Sequence, residues 1–385
     1  MKYLSLETFT DFVCIGSECP YTCCGDWKIT IDEDTDRFYR DVDGEMGERL
    51  KNCIHREEGD AWIVLKEDGS CPFLNEKGLC NIYINLGEEH LSNTCTVYPR
   101  SAFIQGDIRF ALVSVSCPEV ARFYLTHEDP LLIDFAEDYD TSDVDDNTDW
   151  ELFNRAIRTF TTAVSIAQNR DYSIKERTAL VVLLASGFQS CVDEDKDPTD
   201  IIGIYSNPDN YQMILDQTGI KTCDLVSKAS FVSGVAYFFG SVESLDEKFP
   251  ELGEVVRYFS DPKNTSVDMT VWENAFDKSA SSDNEIWCEN LLVYILFKYF
   301  MEGLSEKNFY EKLMNGIGLI MNIFTCINAI YRIIYDKAPS IDYNIMLVAR
   351  LSRMIEHSTL LGGKLKEYFC EQGYNEPGFV LKLIS

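Results

Sequence analysis

The sequence has little positive charge. It holds 34 lysine and arginine residues against 64 aspartate and glutamate residues, which gives a formal net charge of −30 at pH 7. A nucleic-acid-binding protein needs a basic surface to contact phosphates, so we expect no nucleic acid among the partners. The same repulsion argues against an anionic lipid surface. A basic or lysine-presenting protein partner is compatible with this charge.

Histidine is scarce, and the common catalytic motifs are missing. The four histidines are scattered, and no GxGxxG, GxxxxGK[ST], HExxH or GxSxG pattern occurs. The sequence therefore shows no dinucleotide-binding loop, P-loop, zincin helix or nucleophile elbow. His357 follows Glu356 near the end of a helical pattern, and we interpret it as a helix-terminal residue rather than a catalytic one.

The sequence also lacks a secretory signal and a clear membrane span. Residues 1–12 have no apolar core and no small-residue cleavage site. The most apolar run, 317–334, contains Asn322, Asn328 and Arg332, which favours a buried helix over a membrane span. We therefore expect a cytoplasmic protein with no membrane partner, in which thiols stay reduced.

Cysteine, in contrast, is plentiful and unevenly distributed. Nine of the 14 cysteines lie in residues 1–117. Five occur singly in apolar or mixed segments of the remaining chain, and we interpret them as small buried hydrophobic residues. These five are Cys191, Cys223, Cys288, Cys326 and Cys370.

Eight of the first nine cysteines stand in contexts suited to metal ligation. They are Cys14, Cys19, Cys23, Cys24, Cys71, Cys80, Cys95 and Cys117. Gly16 and Pro20 keep the first segment out of regular helix, which suits a loop around an ion. Cys71 and Cys117 each precede a proline, which fixes the following backbone and removes an N–H that would need a partner. Cys53 has no such context, and His55 beside it is an outside candidate for a ligand.

These thiols could form three kinds of site: a disulfide framework, a zinc site or an iron–sulfur cluster. A disulfide framework needs an oxidising compartment, to which nothing in the sequence directs the chain. Zinc takes four tetrahedral ligands, so eight cysteines can form two sites, and an iron–sulfur cluster uses cysteines at looser spacings. No CxxC pair occurs, which argues against a thiol redox protein.

Adjacent Cys23 and Cys24 cannot easily point the same way, so we expect them to serve different centres, or one to bind and the other to pack.

The patterning divides the chain into three parts. The pattern of residues 1–127 predicts a small, loop-rich metal or iron–sulfur cluster domain with a few short strands. The hydrophobic core of so small a domain is thin, so metal binding would add to its folding free energy. Residues 128–150 are strongly acidic and predict a solvated linker. In residues 151–385 apolar side chains recur every three or four positions, which predicts an all-helical domain. The predicted fold is therefore α-rich, with a cysteine-cluster domain followed by an all-α domain.

Three separated blocks carry a resemblance to a known family. They are "FVCIGSECPYTCCGDWKITID", "DGSCPFLNEKGLCNIY" and "LSNTCTVYPR", and the helical segment "YNIMLVARLSRMIEHS" is similar as well. The chain resembles the flagellin lysine-N-methylase family, and its first part also resembles zinc- or iron-chelating cysteine-cluster domains. The resemblance implies N-methylation of flagellin lysines, S-adenosylmethionine as methyl donor, and a [4Fe–4S] cluster held by cysteines of the N-terminal region. By motif, the implied ligands are the same eight cysteines.

Methyl transfer would need a base, because a lysine ammonium cannot attack a sulfonium methyl group. The free amine has a pKa near 10.4, so burial and a nearby carboxylate or tyrosinate must favour deprotonation. Tyr98 is the candidate base, since it follows Cys95 in "TCTVYPR". Arg100 is a candidate to meet the donor's carboxylate or the charge of a cluster, with a structural ion pair as the alternative. The rival hypothesis is a non-enzymatic, zinc- or iron-stabilised module that binds a client protein.

Overall fold

The computed structural model describes residues 2–7, 9, 12–19, 21–25, 27–137, 148–218, 225–241, 249–261, 270–271, 274–275, 282–357 and 359–384. In this part the strands are β1 (Lys2–Leu6), β2 (Thr30–Ile31), β3 (Ile54–Glu57), β4 (Asp60–Ile63), β5 (Arg100–Gln105), β6 (Ile108–Val113) and β7 (Ile133–Glu137). The first helices are α1 (Glu33–Asp41), α2 (Gly44–Cys53), α3 (Asn81–Leu86), α4 (Asn93–Val97) and α5 (Pro118–Thr126).

The remaining α-helices follow in chain order. They are α6 (Trp150–Ala167), α7 (Ile174–Asp193), α8 (Thr199–Tyr205), α9 (Tyr211–Thr218), α10 (Leu225–Gly240), α11 (Pro250–Ser260), α12 (Ser282–Ile295), α13 (Met301–Glu306), α14 (Phe309–Gly316), α15 (Ile323–Tyr335), α16 (Ile341–Glu356), α17 (Thr359–Gln372) and α18 (Pro377–Ile384). Two π-helical stretches, Leu296–Phe300 and Ile317–Asn322, join α12 to α13 and α14 to α15. The α-rich fold class with a few short strands is thus confirmed.

Local sequence explains where the best-defined helices begin. Ser173 accepts a hydrogen bond from the backbone of Glu176, whose side chain in turn accepts from the Ser173 backbone, so a capping box opens α7. Ser340 likewise caps α16 by accepting from the Tyr343 N–H.

Two sheets organise the first 137 residues. A four-stranded sheet has the order β5–β6–β1–β7, in which β1 runs parallel to β6 and antiparallel to β7. A three-stranded antiparallel sheet has the order β2–β4–β3. The two sheets belong to different hydrophobic cores.

The larger core joins the four-stranded sheet to the helices. It includes Leu6 of β1, Phe110 of β6, Phe297 of the first π-helical stretch and Leu347 of α16. All four side chains are at 0% exposure. Helix α16 packs against α5, which places the last turn of α16 beside the start of α5. The sheet therefore shares its core with the helical part of the chain.

The smaller core belongs to the three-stranded sheet and the helices near it. It consists of Ile29, Ile31, Tyr39, Leu50, Ile54, Ala61, Ile63, Cys71, Phe73 and Ile82. Cys24 and Cys80 pack against its edge. So small a core supplies limited folding energy by itself, as expected for a unit organised around thiols.

The division at residues 127 and 150 stays a prediction. Within the predicted linker, β7 pairs with β1, with Leu4 opposite Phe135, so this acidic stretch contributes a strand to the sheet. The stretch 138–147 lies outside the described residues.

One helix of the described chain, Phe309–Tyr335, is long and apolar enough to cross a membrane by length and composition. Of its most apolar window, 72% is buried within the protein. It contains the run 317–334, which the sequence analysis interpreted as a buried helix.

Candidate thiol site and its polar network

A small cavity beside the smaller core is lined by thiols. It has a volume of about 50 Å³, and five of the cysteines singled out in the sequence line it: Cys23, Cys24, Cys71, Cys80 and Cys95. The rest of the lining is largely apolar and aromatic and includes Trp27, Tyr39 and Tyr98. Four separate stretches of the chain thus bring soft sulfur donors to one enclosed place.

Backbone pairing holds the first two stretches together. The N–H of Cys71 donates to the carbonyl of Cys24 at 2.8 Å, and Gly25 forms an isolated β-bridge with Ser70. The approach is so close that a Cβ on Gly25 would lie 2.7 Å from the Gly69 carbonyl oxygen. Glycine at this position therefore allows the two cysteine-bearing loops to meet.

The other two stretches place their thiols from helix starts. Cys80 precedes α3 directly and pairs with Leu74 in a second isolated bridge. Cys95 lies in the first turn of α4, where its N–H donates to the capping hydroxyl of Ser92 at 3.4 Å. Cys95 is exposed as a residue because α4 lies on the surface, but its thiol lines the cavity.

The cavity keeps most of its thiols protonated in the absence of a metal. Burial raises the pKa of Cys71 to about 12 and that of Cys95 to about 11, and it also raises the pKa of Cys80. Cys24 is the exception, because its hydrogen bond with Cys23 lowers its pKa. A metal ligand must be a thiolate, so binding at this site would release protons.

The cavity thiols are suitable metal ligands by their chemistry, but their sulfurs are not positioned around a metal-binding point in this structure. Among the described residues, no group of three or more histidine, cysteine, aspartate or glutamate side chains is placed to hold a metal ion. The adjacent sulfurs of Cys23 and Cys24 lie 4.0 Å apart. The donor set fits a thiophilic metal in its chemistry, and binding would draw the sulfurs closer together.

The remaining cysteines fall outside the cavity. Cys14 is exposed, Cys19 is half-buried, and Cys117 is buried at the start of α5. Cys53 ends α2, and the neighbouring His55 stacks against Trp62 with ring centroids 4.4 Å apart.

The single cysteines of the helical part follow the sequence prediction with one exception. Cys191, Cys288 and Cys326 are buried. Cys370 is exposed, so the prediction of a buried residue is wrong there, because α17 turns this side chain toward Asn375 at the surface. Cys223 lies outside the described residues, and the other thirteen cysteines are all free thiols.

Tyr98 lies at the cavity and joins a polar network. Its hydroxyl is 3.0 Å from Ser116 Oγ, which in turn lies 2.9 Å from Nε2 of His357. The ring of Trp27 packs against both, with its centroid 5.4 Å from that of Tyr98 and 5.0 Å from that of His357. Burial raises the pKa of Tyr98 to about 12, so the phenol is protonated near neutral pH. The hydroxyl of Ser116 thus links the neutral phenol of Tyr98 to the imidazole of His357.

The Arg100 side chain contacts the segment before Cys14 and does not line the thiol cavity. Its Nη2 donates to the carbonyl of Phe12 at 3.0 Å, and its guanidinium lies over the rings of Phe9 and Phe12. This side chain therefore anchors the segment that leads to Cys14. The structure shows no ion pair for Arg100 among the described residues.

The last turn of α16 provides three polar residues that the sequence analysis did not assign to a site. Arg353 donates to the carbonyls of Thr22 (2.9 Å) and Ser116 (3.3 Å) and to the hydroxyl of Tyr98 (3.3 Å). His357 ends the helix, as the sequence predicted, and burial lowers its pKa to about 4. The imidazole is therefore neutral near pH 7.

Glu356 forms the buried end of the network. Its side chain is 2% exposed, and it accepts hydrogen bonds from Ser114 at 2.7 Å, Tyr294 at 2.9 Å and Tyr299 at 3.2 Å. Lys298, in a π-helical stretch, places its Nζ 2.6 Å away. Burial is the largest single influence and raises the pKa of Glu356, but Lys298, His357 and the Ser114 hydroxyl together lower it by more, so the net shift is downward. The carboxylate is therefore ionised and fully paired.

Comparison with known proteins places this arrangement in a family of modifying enzymes. The family model described as the C-terminal domain of FliB lysine N-methylase matches residues 161–383, which include Lys298, Arg353, Glu356 and His357. The chain therefore belongs to the FliB lysine N-methylase family.

Curated relatives agree with that assignment. The chain is 32% identical over 131 residues to the flagellar biosynthetic protein FliU of Salmonella muenchen, which covers 32% of this chain and 77% of the relative. It is also 32% identical over 131 residues to the Lysine-N-methylases of Salmonella typhimurium and Salmonella choleraesuis, with about a third of each protein covered. No solved structure matches the chain.

Proposed function

We propose that the chain is a protein-lysine N-methyltransferase that modifies flagellin, with S-adenosylmethionine as the methyl donor. One observation carries the proposal. Helix α16, inside the matched family domain, places Arg353, Glu356 and His357 in a network that reaches the thiol cavity through Ser116 and Tyr98. The names of the relatives support lysine methylation and a connection with flagella.

The chemistry requires an unprotonated lysine amine. Its lone pair forms a bond to the methyl carbon while the carbon–sulfur bond of the donor breaks and its electron pair stays on sulfur. The nitrogen then carries one proton more than a neutral amine, and this proton passes to a base or to water. Desolvation of the substrate lysine near an apolar surface such as that around Trp27 would lower its pKa.

The network gives the proton a path inside the protein. Tyr98 is neutral in the resting protein, so it can accept the lysine proton only if it passes its own proton on. Ser116 Oγ links its hydroxyl to the neutral imidazole of His357. The proposed relay runs from lysine to Tyr98 and through Ser116 to His357. Because the pKa of His357 is about 4, the imidazole passes the proton on to solvent and does not keep it.

The cavity is the proposed site of the metal centre. Cys24, Cys71, Cys80 and Cys95 would hold either a [4Fe–4S] cluster or zinc, because both take four cysteine thiolates. A cluster held by only three of these thiolates would leave one iron position open for a donor group, whereas a closed four-thiolate centre would stabilise the fold. Reduced thiols at this cavity are consistent with the expected cytoplasmic location.

Net charge suits the proposed substrate class. A chain with a formal charge of −30 attracts a lysine-bearing protein surface and repels phosphate. Attraction of this kind accelerates encounter and weakens with added salt.

Co-expression with flagellin tests the proposal. Intact-protein and peptide mass spectrometry should show flagellin lysines gaining methyl groups only when the chain is present. Tyr98→Phe should abolish the gain, and Tyr39→Phe, which alters a tyrosine on the same cavity, should keep it. Unmodified flagellin with the folded, metal-loaded chain would contradict methylation and favour the alternative of a metal-stabilised binding module.

A further inference from the structure

The four-stranded sheet ends at β7, the strand that the acidic stretch contributes. It pairs with β1 on one side, and within the described residues no strand pairs with its other side. Leu132, just before the strand, is 61% exposed, and Phe135 within it is 59% exposed. An exposed strand edge presents backbone groups with which another extended chain can pair. The edge of β7 can therefore accept a fifth strand.

The ladder with β1 shows which backbone groups of β7 point outward. The N–H of Glu7 donates to the carbonyl of Leu132 at 3.1 Å, so the carbonyl of Leu132 faces β1. Residues that bond to the partner strand alternate with residues that do not along an antiparallel pair. The N–H and C=O groups that point away from the sheet are therefore those of Ile133, Phe135 and Glu137.

The side chains along this edge combine apolar surface with negative charge. Asp134 and Glu137 are both exposed. Lys2 lies opposite Glu137 in the ladder, but it forms its ion pair with Asp107 at 3.0 Å. In the sequence from position 128 to position 151 there are eleven aspartate or glutamate residues and no lysine or arginine. The edge therefore favours an extended partner that carries positive charge.

Two other pairings fit the charge less well. The opposite edge of the same sheet, β5, carries Arg100 and no acidic residue, so it offers a lysine-bearing strand no attraction. A second copy of this chain would bring two acidic strands side by side. Like charges on neighbouring strands are destabilising, so pairing of β7 with β7 is disfavoured.

We propose that β7 is a docking edge for an extended, lysine-bearing segment of the protein substrate, which joins the sheet as a fifth strand. The inference rests on the proposed function in taking the partner to be the substrate. Main-chain hydrogen bonds to the outward groups of β7 would supply affinity, and the acidic side chains would select for lysine. Such docking depends on extended shape and charge, so it places few demands on the sequence around the modified lysine.

The location of β7 suits delivery of a lysine to the proposed relay. Because β1 is parallel to β6 and antiparallel to β7, the start of β7 lies at the same end of the sheet as the end of β6. There β6 leads directly into Ser114 and Ser116. A fifth strand would lie three strand spacings from β6, about 14 Å. About four or five extended residues span that distance.

Peptide binding to the full chain tests the docking edge. The probe is a short, fluorescently labelled peptide of alternating valine and lysine, and the matched peptides alternate valine with glutamate and proline with lysine. Only the valine–lysine peptide should raise the fluorescence anisotropy, and it should slow amide hydrogen exchange in residues 132–137. Equal binding of the proline–lysine peptide, which keeps the charge but cannot pair as a strand, would overturn the proposal. So would a dimer of the free chain in which residues 132–137 are already protected.

Phe135→Pro tests the backbone contact. It removes an outward N–H and no hydrogen bond to β1, and edge strands tolerate proline. Phe135→Ala is the matched control, because it removes the same ring and keeps the N–H. Phe135→Pro should bind the valine–lysine peptide about 2- to 10-fold more weakly than Phe135→Ala, and equal affinity would overturn strand pairing. If urea unfolding shows that Phe135→Pro is misfolded, Asp134→Asn combined with Glu137→Gln leaves the backbone intact, and peptide affinity unchanged from wild type would overturn the proposal.

Methylation kinetics separate this inference from the proposed function. With flagellin as substrate, Phe135→Pro should raise KM and leave kcat unchanged, because the docked strand lies away from the reacting atoms. An unchanged KM in a chain that does methylate flagellin would overturn the docking edge alone. Peptide binding at β7 by a metal-loaded chain that methylates no flagellin would overturn the methyltransferase and leave the docking edge in place.

Discussion

Arg353 donates a hydrogen bond of 2.9 Å to the carbonyl of Thr22, a residue 331 positions earlier in the chain. The contact joins the last turn of α16, within the matched family domain, to the loop that carries Cys23 and Cys24. The proposed chemistry depends on this junction, since neither the thiol loops nor α16 holds all the polar groups by itself.

Substitution of Glu356 by glutamine should destabilise the protein strongly. The change leaves the Lys298 ammonium, which is 11% exposed, without its carboxylate, and breaking a buried ion pair costs about 3–5 kcal/mol. Urea unfolding of Glu356→Gln measures the loss. The control is Glu306→Gln, which breaks the Lys312 pair and removes a carboxylate that is 58% exposed. It should cost less than about 1 kcal/mol, and equal losses would contradict a specific role for the buried pair.

Tyr98→Phe separates catalysis from folding. Removal of the hydroxyl breaks the proposed relay to Ser116, so the methylation rate should fall by about 10²- to 10⁴-fold. Metal content should stay the same, because no thiol is removed. Tyr39→Phe deletes a hydroxyl at the same cavity that donates to the His90 carbonyl at 2.7 Å. A rate in Tyr98→Phe within a few-fold of that in Tyr39→Phe would rule out the relay.

His357 should make the protein less stable in mild acid. Its folded pKa is about 4 and its ordinary value about 6.5, so between these values the unfolded state binds more protons. Stability therefore falls as pH drops below about 6.5, by about 2 kcal/mol at pH 5 from this group alone. His357→Gln should lack this component. Urea unfolding of both proteins at pH 7.5 and pH 5 gives the difference, and parallel losses would exclude His357 as the source.

The sequence predicts the components of the site better than their arrangement. The cavity thiols and Tyr98 are recognisable because loops with Cys-Pro and Gly-Leu-Cys steps differ from the helical pattern around them. Arg100 was a reasonable candidate by its position near Cys95, but its contact with the Phe12 carbonyl depends on the tertiary fold. Local context identifies unusual residues and cannot show which distant segment meets them.

Arg353 and Glu356 illustrate what a helical pattern conceals. In "ARLSRMIEH" they stand among apolar residues at ordinary helical spacing, where charged side chains usually face solvent. Arg353 is buried where α16 meets the N-terminal loop and the start of α5. Glu356 is buried by its contacts with Ser114, Tyr294 and Lys298. The parallel pairing of β1 with β6 is hidden for the same reason, because it joins segments about a hundred residues apart and neither strand specifies its partner.

Gly25→Ala should loosen the thiol cavity without removing a thiol. The new Cβ would lie 2.7 Å from the Gly69 carbonyl oxygen, so the bridge to Ser70 must open. We expect a loss of about 1–3 kcal/mol in unfolding free energy, with faster metal release from the cavity. Gly203→Ala in α8, where a Cβ would meet nothing within 4 Å, is the control and should be neutral or slightly stabilising. Unchanged metal release in Gly25→Ala would show that the bridge does not hold the cavity.

Metal removal should unfold the smaller core before the helices. That core contains ten buried residues, whereas the larger one spans the four-stranded sheet and the helical part. Because the smaller unit depends more on its thiol site, chelation under reducing conditions should accelerate amide hydrogen exchange in β3, β4 and α1 and leave the core helices α7 and α12 protected. Hydrogen exchange followed by mass spectrometry resolves these segments. If exchange rises equally in all of them, the smaller core and the helices form one cooperative unit, and the metal stabilises the whole protein.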